Sequence, residues 1–410
     1  MKQDLTNTTG RTLAQAGLLS EADLAWAAQV QKKIEGKMPD VRKRNLHKIP
    51  YTTGPDGLYD DRSDEKVFAD SEGGIGWWTN GFYGGLLRQM YAATGDPRYA
   101  QAADIQEEKL DRALEVFDGL HHDVGFMYLP TAGANYLLNG GERSRARFLH
   151  AATLLAGRFN PAGRFIRAWN EAPDNDLRGW AIIDCLMNLS ILYRASEATK
   201  DPRFAQIAAA HARTATENFV REDGSVCHIV VFDPVSGERL TDLGGQGYEQ
   251  GSAWTRGQAW GIYGFTNSYR HTGERRFLAA AQRVADYFIS QVPESGVIPI
   301  DFKAPEELRG QTEDACGAAV AACGLLVLAS ELVKEPTARD IGRAAVYTGT
   351  ALKLLRAIDG KADYRTETDA MVQECSGSWH GGDHHMTMVY ADYYYTEAIL
   401  ALTGKGLLFW

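Results

Sequence analysis

Trp254 to Gln291 reads WTRGQAWGIYGFTNSYRHTGERRFLAAAQRVADYFISQ, and its two halves behave differently. Over 254–271 apolar, aromatic and small residues occupy every side of a helical wheel, and such a helix must be surrounded by protein. Thr272-Gly-Glu-Arg-Arg-Phe277 then turns the chain into an Ala-rich amphipathic run over 274–291, the pattern of a helix lining an exterior. The turn phrase recurs as Thr94-Gly-Asp-Pro-Arg-Tyr99 and Thr199-Lys-Asp-Pro-Arg-Phe204, with a looser echo at Gly141 to Phe148. In the first two, Asp takes the N-cap and Pro the first helical position, where its missing N–H is harmless.

Periodicity predicts helices over 20–36, 77–93, 97–118, 125–139, 143–158, 178–198, 202–219, 254–271, 274–291, 312–333, 337–357 and 386–403. The runs 77–93, 254–271, 312–333 and 386–403 are apolar nearly all round, and amphipathic runs follow short turns. Six inner and six outer helices in alternation give an all-α fold, a six-hairpin (α/α)6 barrel. One domain over 1–410 is expected, with an N-terminal extension around 1–19. Ser225 to Phe232 is the only strand-like stretch, expected as a local hairpin on a long loop.

Composition narrows function. With 43 Lys+Arg against 53 Asp+Glu the formal charge is −10, a field that repels nucleic acid and anionic membrane surfaces. No stretch is expected to span a membrane, since Ala315 to Ala329 is broken by Gly317, Gly324 and two Cys. The start, Met1 to Leu19, shows no export signal, and the five cysteines are odd in number and scattered, so reduced core thiols in a cytoplasm are expected. Phosphate-cradling loops, dinucleotide fingerprints and G-x-S-x-G elbows are absent, and no cofactor is expected.

The unusual polar and aromatic residues precede or open the inner runs: Trp77, Trp78 and Asn80; His121, His122 and Asp123; Asp184; Trp254 and Arg256; Glu313 and Asp314. Parallel inner helices would bring them together at one mouth, with helix N-termini facing inward. Asp184, inside the apolar run Ala181 to Leu192, should have a raised pKa suited to donating a proton, unless it caps a turn or pairs with a buried Arg. Asp123 is equally placed to act in the site or to N-cap the run at 125–139. Clustered tryptophans suit sugar faces or a core. Arg256 either holds a substrate carboxylate or neutralises an internal Asp. His380-Gly-Gly-Asp-His-His385 lacks helical ligand spacing, so a loop contacting substrate is expected there and no metal.

The combination resembles the unsaturated glucuronyl hydrolases, glycoside hydrolase family 88. The resemblance rests on Trp77-Trp-Thr-Asn-Gly-Phe82, His121-His-Asp-Val-Gly-Phe126, Ile166-Arg-Ala-Trp-Asn170, Ile182-Ile-Asp-Cys-Leu-Met-Asn188, His228 through Asp233-Pro234, Trp254-Thr-Arg-Gly-Gln-Ala-Trp260 and Asp392-Tyr-Tyr-Tyr-Thr-Glu397, in the family's order. It implies the same barrel and an acidic oligosaccharide substrate carrying a 4,5-unsaturated uronic acid at its non-reducing end. Asp184 would protonate C4 and direct water to C5, with Asp123 beside it. Trp77, His122, Trp169, His228, Gln246, Arg256, Gln258 and Trp260 would line the sugar site. Gly245-Gln246 stands where the family often has a His beside the Gln, and Cys375 to His385 lacks the Ser/Lys pattern that in some members accepts sulfated aglycones. An unsaturated rhamnogalacturonyl hydrolase, and a sugar 2-epimerase or isomerase using His121, His122 and His228, remain open at this point.

Overall fold

The computed structural model describes residues 3–63, 74–171, 175–334 and 336–410. Its helices are α1 (Thr9–Gln15), α2 (Glu21–Arg44), α3 (Phe82–Thr94), α4 (Pro97–Lys109), α5 (Asp111–Glu115), α6 (Val124–Tyr128), α7 (Ala134–Asn139), α8 (Glu142–Gly157), α9 (Cys185–Thr199), α10 (Pro202–Asn218), α11 (Thr255–Thr272), α12 (Arg275–Gln291), α13 (Glu306–Arg309), α14 (Ala315–Leu332), α15 (Ala338–Asp359) and α16 (Val389–Thr403). A π-helical turn, Leu129–Gly133, containing Pro130, joins α6 to α7. Contacts run round a closed inner ring from α3 through that π-helical turn to α6, then α9, α11, α14 and α16, and back to α3. Helices α2, α4, α8, α10, α12 and α15 pack outside it. This is the six-hairpin barrel that the periodicity predicts.

The two kinds of run behave as their patterns require. Every residue of α11 from Thr255 to Ser268, of α14 from Cys316 to Ser330, and of α16 from Val389 to Leu402 is buried. On α12, burial is confined to Phe277, Leu278, Ala280, Ala281, Val284, Ala285 and Phe288, one face of the wheel. Asp96 and Asp201 do accept N–H bonds from Arg98 and Arg203, with Pro at the helix start. Helix α14 is long and apolar enough in composition to cross a membrane, which the sequence reading did not expect; here α11, α15 and α16 surround it. Within the expected N-terminal extension, of which 1 and 2 lie outside the described residues, α1 packs on α14 and α16.

Helix α2 runs on to Arg44 past the expected 36 and α3 begins at Phe82 rather than 77, and two further differences bear on the site. The run at 178–198 is helical only from Cys185, because Trp180–Ile182 forms a strand, β3. With two-residue strands β1 (Phe159–Asn160) and β2 (Phe165–Ile166) earlier in the chain, β4 (Ile229–Phe232) lies between β3 and β5 (Arg239–Leu243) in an antiparallel sheet. The expected hairpin is thus the outer part of a three-stranded sheet. Trp180, Ala181 and Ile182 pair with Val231, Val230 and Ile229, so an apolar run that fits a helix is drawn instead into a ladder of β-branched partners. Asp184 therefore stands at the N-cap position of α9 rather than inside a helix.

Helices α9 and α11 meet so closely that a Cβ on Gly264 would lie 2.4 Å from the Cβ of Leu186. Gly264→Ala should cost about 1–3 kcal/mol through overpacking. Gly349→Ala, at an exposed site of α15 with open space around it, should gain about 0.5–1 kcal/mol. Urea unfolding of the two variants checks the opposite signs.

Candidate active site

The N-termini of α3, α6 and α9 converge on a cavity of about 200 Å³ lined by Trp77, Trp78, His121, His122, Asp123, Trp169, Ile182, Asp184, His228 and Gln246. Asp123 caps the start of α6 by position but makes no side-chain cap bond there. Its Oδ1 instead accepts from Asn188 Nδ2 at 2.8 Å, and its Oδ2 lies 3.3 Å from His122 Nε2 and 3.5 Å from His121 Nδ1. Asp184, half-buried, has an enclosed Oδ1 with no hydrogen-bond partner among the described residues.

The environments of these two carboxyls push them apart. Burial opposes ionisation of Asp123, but the charge and hydrogen bond of His122, then His121 and the Asn188 amide, outweigh it and hold the carboxyl below its ordinary pKa. Burial of Asp184, reinforced by the negative charge of Asp123, holds its carboxyl well above the ordinary value, and Arg256 opposes this only in part. An acid beside a carboxylate is the arrangement for delivering one proton near neutral pH. His228 is neutral, its imidazole pushed down to about 3 by burial. Its Nδ1 accepts the Gln246 N–H at 2.9 Å, which fixes the tautomer with the proton on Nε2. Gly245 has φ +57°, and a Cβ there would lie 1.9 Å from His228 Nδ1, so this imidazole excludes a side chain at 245.

Trp77, His122, Asp123, Trp169, Asp184, His228 and Gln246 thus share one cavity as the sequence reading expects. Arg256, Gln258 and Trp260 do not line it. Arg256, 2% exposed, pairs with Asp314 at 3.0 Å, donates to the carbonyls of Ser376 and Gly377, and stacks over Trp254 with 4.7 Å to the ring centroid. Of the two readings left open, it neutralises an internal Asp. Gln258 accepts the Val226 N–H and donates to the carbonyls of Val226 and Trp254, bracing the chain before His228. Trp260 is fully enclosed among Phe126, Tyr390 and Tyr394. Residues with the composition of a ligand wall are here the second layer that supports it.

Trp78, His121 and Ile182 join the lining, and Asn188 joins the two acidic residues; a buried amide one turn after Asp184 was the available signal for the last. The His380–His385 stretch does not reach the cavity. Trp379 N–H donates to Gln246 O, Gln246 Nε2 donates to Gly377 O, and His380 Nε2 lies 2.7 Å from Tyr248 O, so this loop braces the cavity wall from behind. His121, His122 and Asp123 bring three ligand-type atoms within 4.8 Å of one another, but His121 Nδ1 takes the Asp123 N–H and Asp123 Oδ1 the Asn188 amide. That cluster organises a carboxylate by its own contacts.

A carboxyl pushed up beside one held down, in a cavity that tryptophans also line at the mouth of an (α/α)6 barrel, is the make-up of a glycoside-processing enzyme. The chain belongs to Glycosyl Hydrolase Family 88, which residues 59–280 match. It is 38% identical over 338 residues to an unsaturated glucuronyl hydrolase of Bacillus sp. (strain GL1), covering 81% of this chain and 88% of that protein. Over 337 residues it is 31% identical to an unsaturated chondroitin disaccharide hydrolase of Streptococcus pneumoniae, covering 81% and 83%. Its fold matches the crystal structure of an unsaturated glucuronyl hydrolase from Streptococcus agalactiae with a TM-score of 0.82 and 28% identity, over 100% of this chain and 99% of that one.

Because Arg256 sits in a buried ion pair, Arg256→Ala should lower stability by about 3–5 kcal/mol, leaving Asp314 uncompensated. Denaturant unfolding checks this, and a variant as stable as the parent would return Arg256 to the sugar site.

Proposed function

We propose that the protein removes the non-reducing-end 4,5-unsaturated uronic acid from lyase-generated acidic oligosaccharides by hydrating its C4=C5 vinyl ether. The observation that carries this reading is the unequal pair at one cavity wall: Asp123 is held by Asn188 and His122, while Asp184 has an enclosed oxygen without a partner among the described residues, so burial pushes its carboxyl up. The names of the relatives support it, as does the Streptococcus agalactiae enzyme structure complexed with dGlcA-GalNAc6S. Five free and buried thiols support the further proposal that the protein works in the cytoplasm.

The reaction needs one acid and one water. Asp184 gives its proton to C4, the alkene pair forming the new C–H bond and leaving oxocarbenium character at C5 and O5. The charge of Asp123 and of the newly ionised Asp184 offsets that cation. Water adds to C5 and passes a proton back to Asp184, so the acid is regenerated. The C5 hemiketal opens by breaking C5–O5, which leaves a ketone at C5 and a hemiacetal at C1; collapse of the latter releases the remaining sugar as an alcohol. The anomeric carbon is never attacked, so the spacing of two carboxylates carries no stereochemical meaning here. Trp77 and Trp169 line the cavity as apolar contacts for the ring, and His228 brings a neutral imidazole with Nε2–H as its donor.

The test follows loss of the conjugated alkene absorbance on unsaturated uronyl disaccharides. Asp184→Asn is expected to lose turnover by about three orders of magnitude or more while substrate still binds. Wild-type protein should also lose kcat/KM as pH rises through the raised pKa of Asp184, since only its protonated form acts. An unchanged absorbance with the wild-type enzyme, or undiminished turnover in Asp184→Asn, discards the reading.

A further inference from the structure

A side chain to which no role has been given links the carboxyl of Asp123 to the main chain of Asp184. Asn188 lies one turn after Asp184 on α9 and is fully buried. Its Oδ1 accepts the Phe126 N–H at 2.8 Å, in the first turn of α6. That donor settles the orientation of the amide, because a flipped Asn would set N–H against N–H. Nδ2 must therefore face the other way, where it lies 2.8 Å from Asp123 Oδ1 and 3.3 Å from the carbonyl of Asp184.

We propose that Asn188 is a positioning residue for the reaction: its pinned amide holds Asp123 as the ionised member of the pair, so that the shared site keeps its proton on Asp184. This rests on the function proposed above. The physical argument is one of asymmetry. An N–H donor strengthens its bond when the acceptor becomes a carboxylate, and close like charges in a dry site resist ionising together. Asp123 receives Asn188 and His122, whereas Asp184 Oδ1 receives no partner among the described residues. One proton distributed over the two goes to the group with less support for its charge.

The two histidines share in this selection, and the remaining groups around the pair are engaged elsewhere. His121 and His122 precede α6 on the same segment as Asp123 and support its charge from that side, while burial pushes the His122 imidazole down against the pull of Asp123. His228, from the chain entering β4, is neutral as well. Arg158 at the end of α8 donates to the carbonyls of Arg167 and Ala168 and to Asn170. Arg256 of α11 is paired with Asp314, and burial holds the Cys185 thiol protonated beside Asp184. Asn188 is the contact that distinguishes the two acids from within the helix carrying one of them.

The test compares pH profiles of kcat/KM for wild type, Asn188→Leu and Asn188→Asp on an unsaturated uronyl disaccharide. Activity requires Asp123 ionised, so it falls as pH drops through the pKa of that group. Losing the donor raises this pKa, and the acid limb is expected to move up by about one to two pH units. The alkaline limb, which reports Asp184 with Asp123 already ionised, should not move to lower pH. Plateau kcat should fall about tenfold or more with KM changed less than about threefold. Asn188→Asp keeps an acceptor for the Phe126 N–H while turning an oxygen toward Asp123, so it decides the matter if Asn188→Leu does not fold. An acid limb at the wild-type position in the folded variants, or a loss carried by KM, overturns the proposal. That failure is distinct from failure of the function itself, which the wild type and Asp184→Asn report.

Discussion

The mouth of this barrel depends on a carboxyl that is denied its usual solvation. Asp184 has one oxygen sealed against protein without a hydrogen bond among the described residues and a negatively charged neighbour, conditions that are costly for a carboxylate and acceptable for a carboxylic acid. A protein tolerates such a group where the surrounding structure determines its position more than once. Here the residue begins α9, follows directly on a strand paired with β4, and shares an amide with the start of α6. Each element alone would fix its backbone, and together they leave it no route to water except through the cavity.

That arrangement follows from how the helices are sorted. Inner helices buried on all faces can only be enclosed by one another and by an outer layer, and alternating them with amphipathic helices makes every inner helix run the same way. Their N-termini collect at one end, and the long connections into them supply the walls. The sheet β3-β4-β5 is one such connection: it carries Ile182 and delivers His228 and Asp184 to the cavity from adjacent strands. The opposite end, where α1 meets α14 and α16, contributes nothing to the lining.

Much of this was legible because helix periodicity is a local property: each of the twelve expected runs contains a helix, and the cavity residues Trp77, His122, Asp123 and Asp184 stand where the parallel inner helices would bring them, while Trp169, His228 and Gln246, which lie on the connections, came only from the family resemblance. What failed was orientation. A buried Arg, Gln or Trp has the same sequence environment whether it meets a ligand or a neighbouring loop, so Arg256, Gln258 and Trp260 were indistinguishable from wall residues until their partners were seen. The start of α9 was misplaced for a related reason, since Trp180 to Ile183 fits either period and only the partner strand decides. The single-domain extent of 1–410 and the roles of individual site residues are matters of function and folding rather than of geometry.

Among the walls, the contact of Gly245 with His228 has a consequence for how this scaffold can diversify. Because the imidazole fills the space a Cβ would need, a side chain at position 245, such as the His that the family often carries there, requires the imidazole to sit elsewhere than it does in this chain. Gln246 is tethered on both its main-chain and side-chain sides to the hairpin closed by Cys375 and Met386. Lineages adapting to new sugars would therefore find their widest freedom in that hairpin, where insertions can be absorbed at the rim, while a change at the strand-to-helix junction beneath it has to carry the imidazole with it. The barrel separates an interior under strict steric selection from a border that can drift.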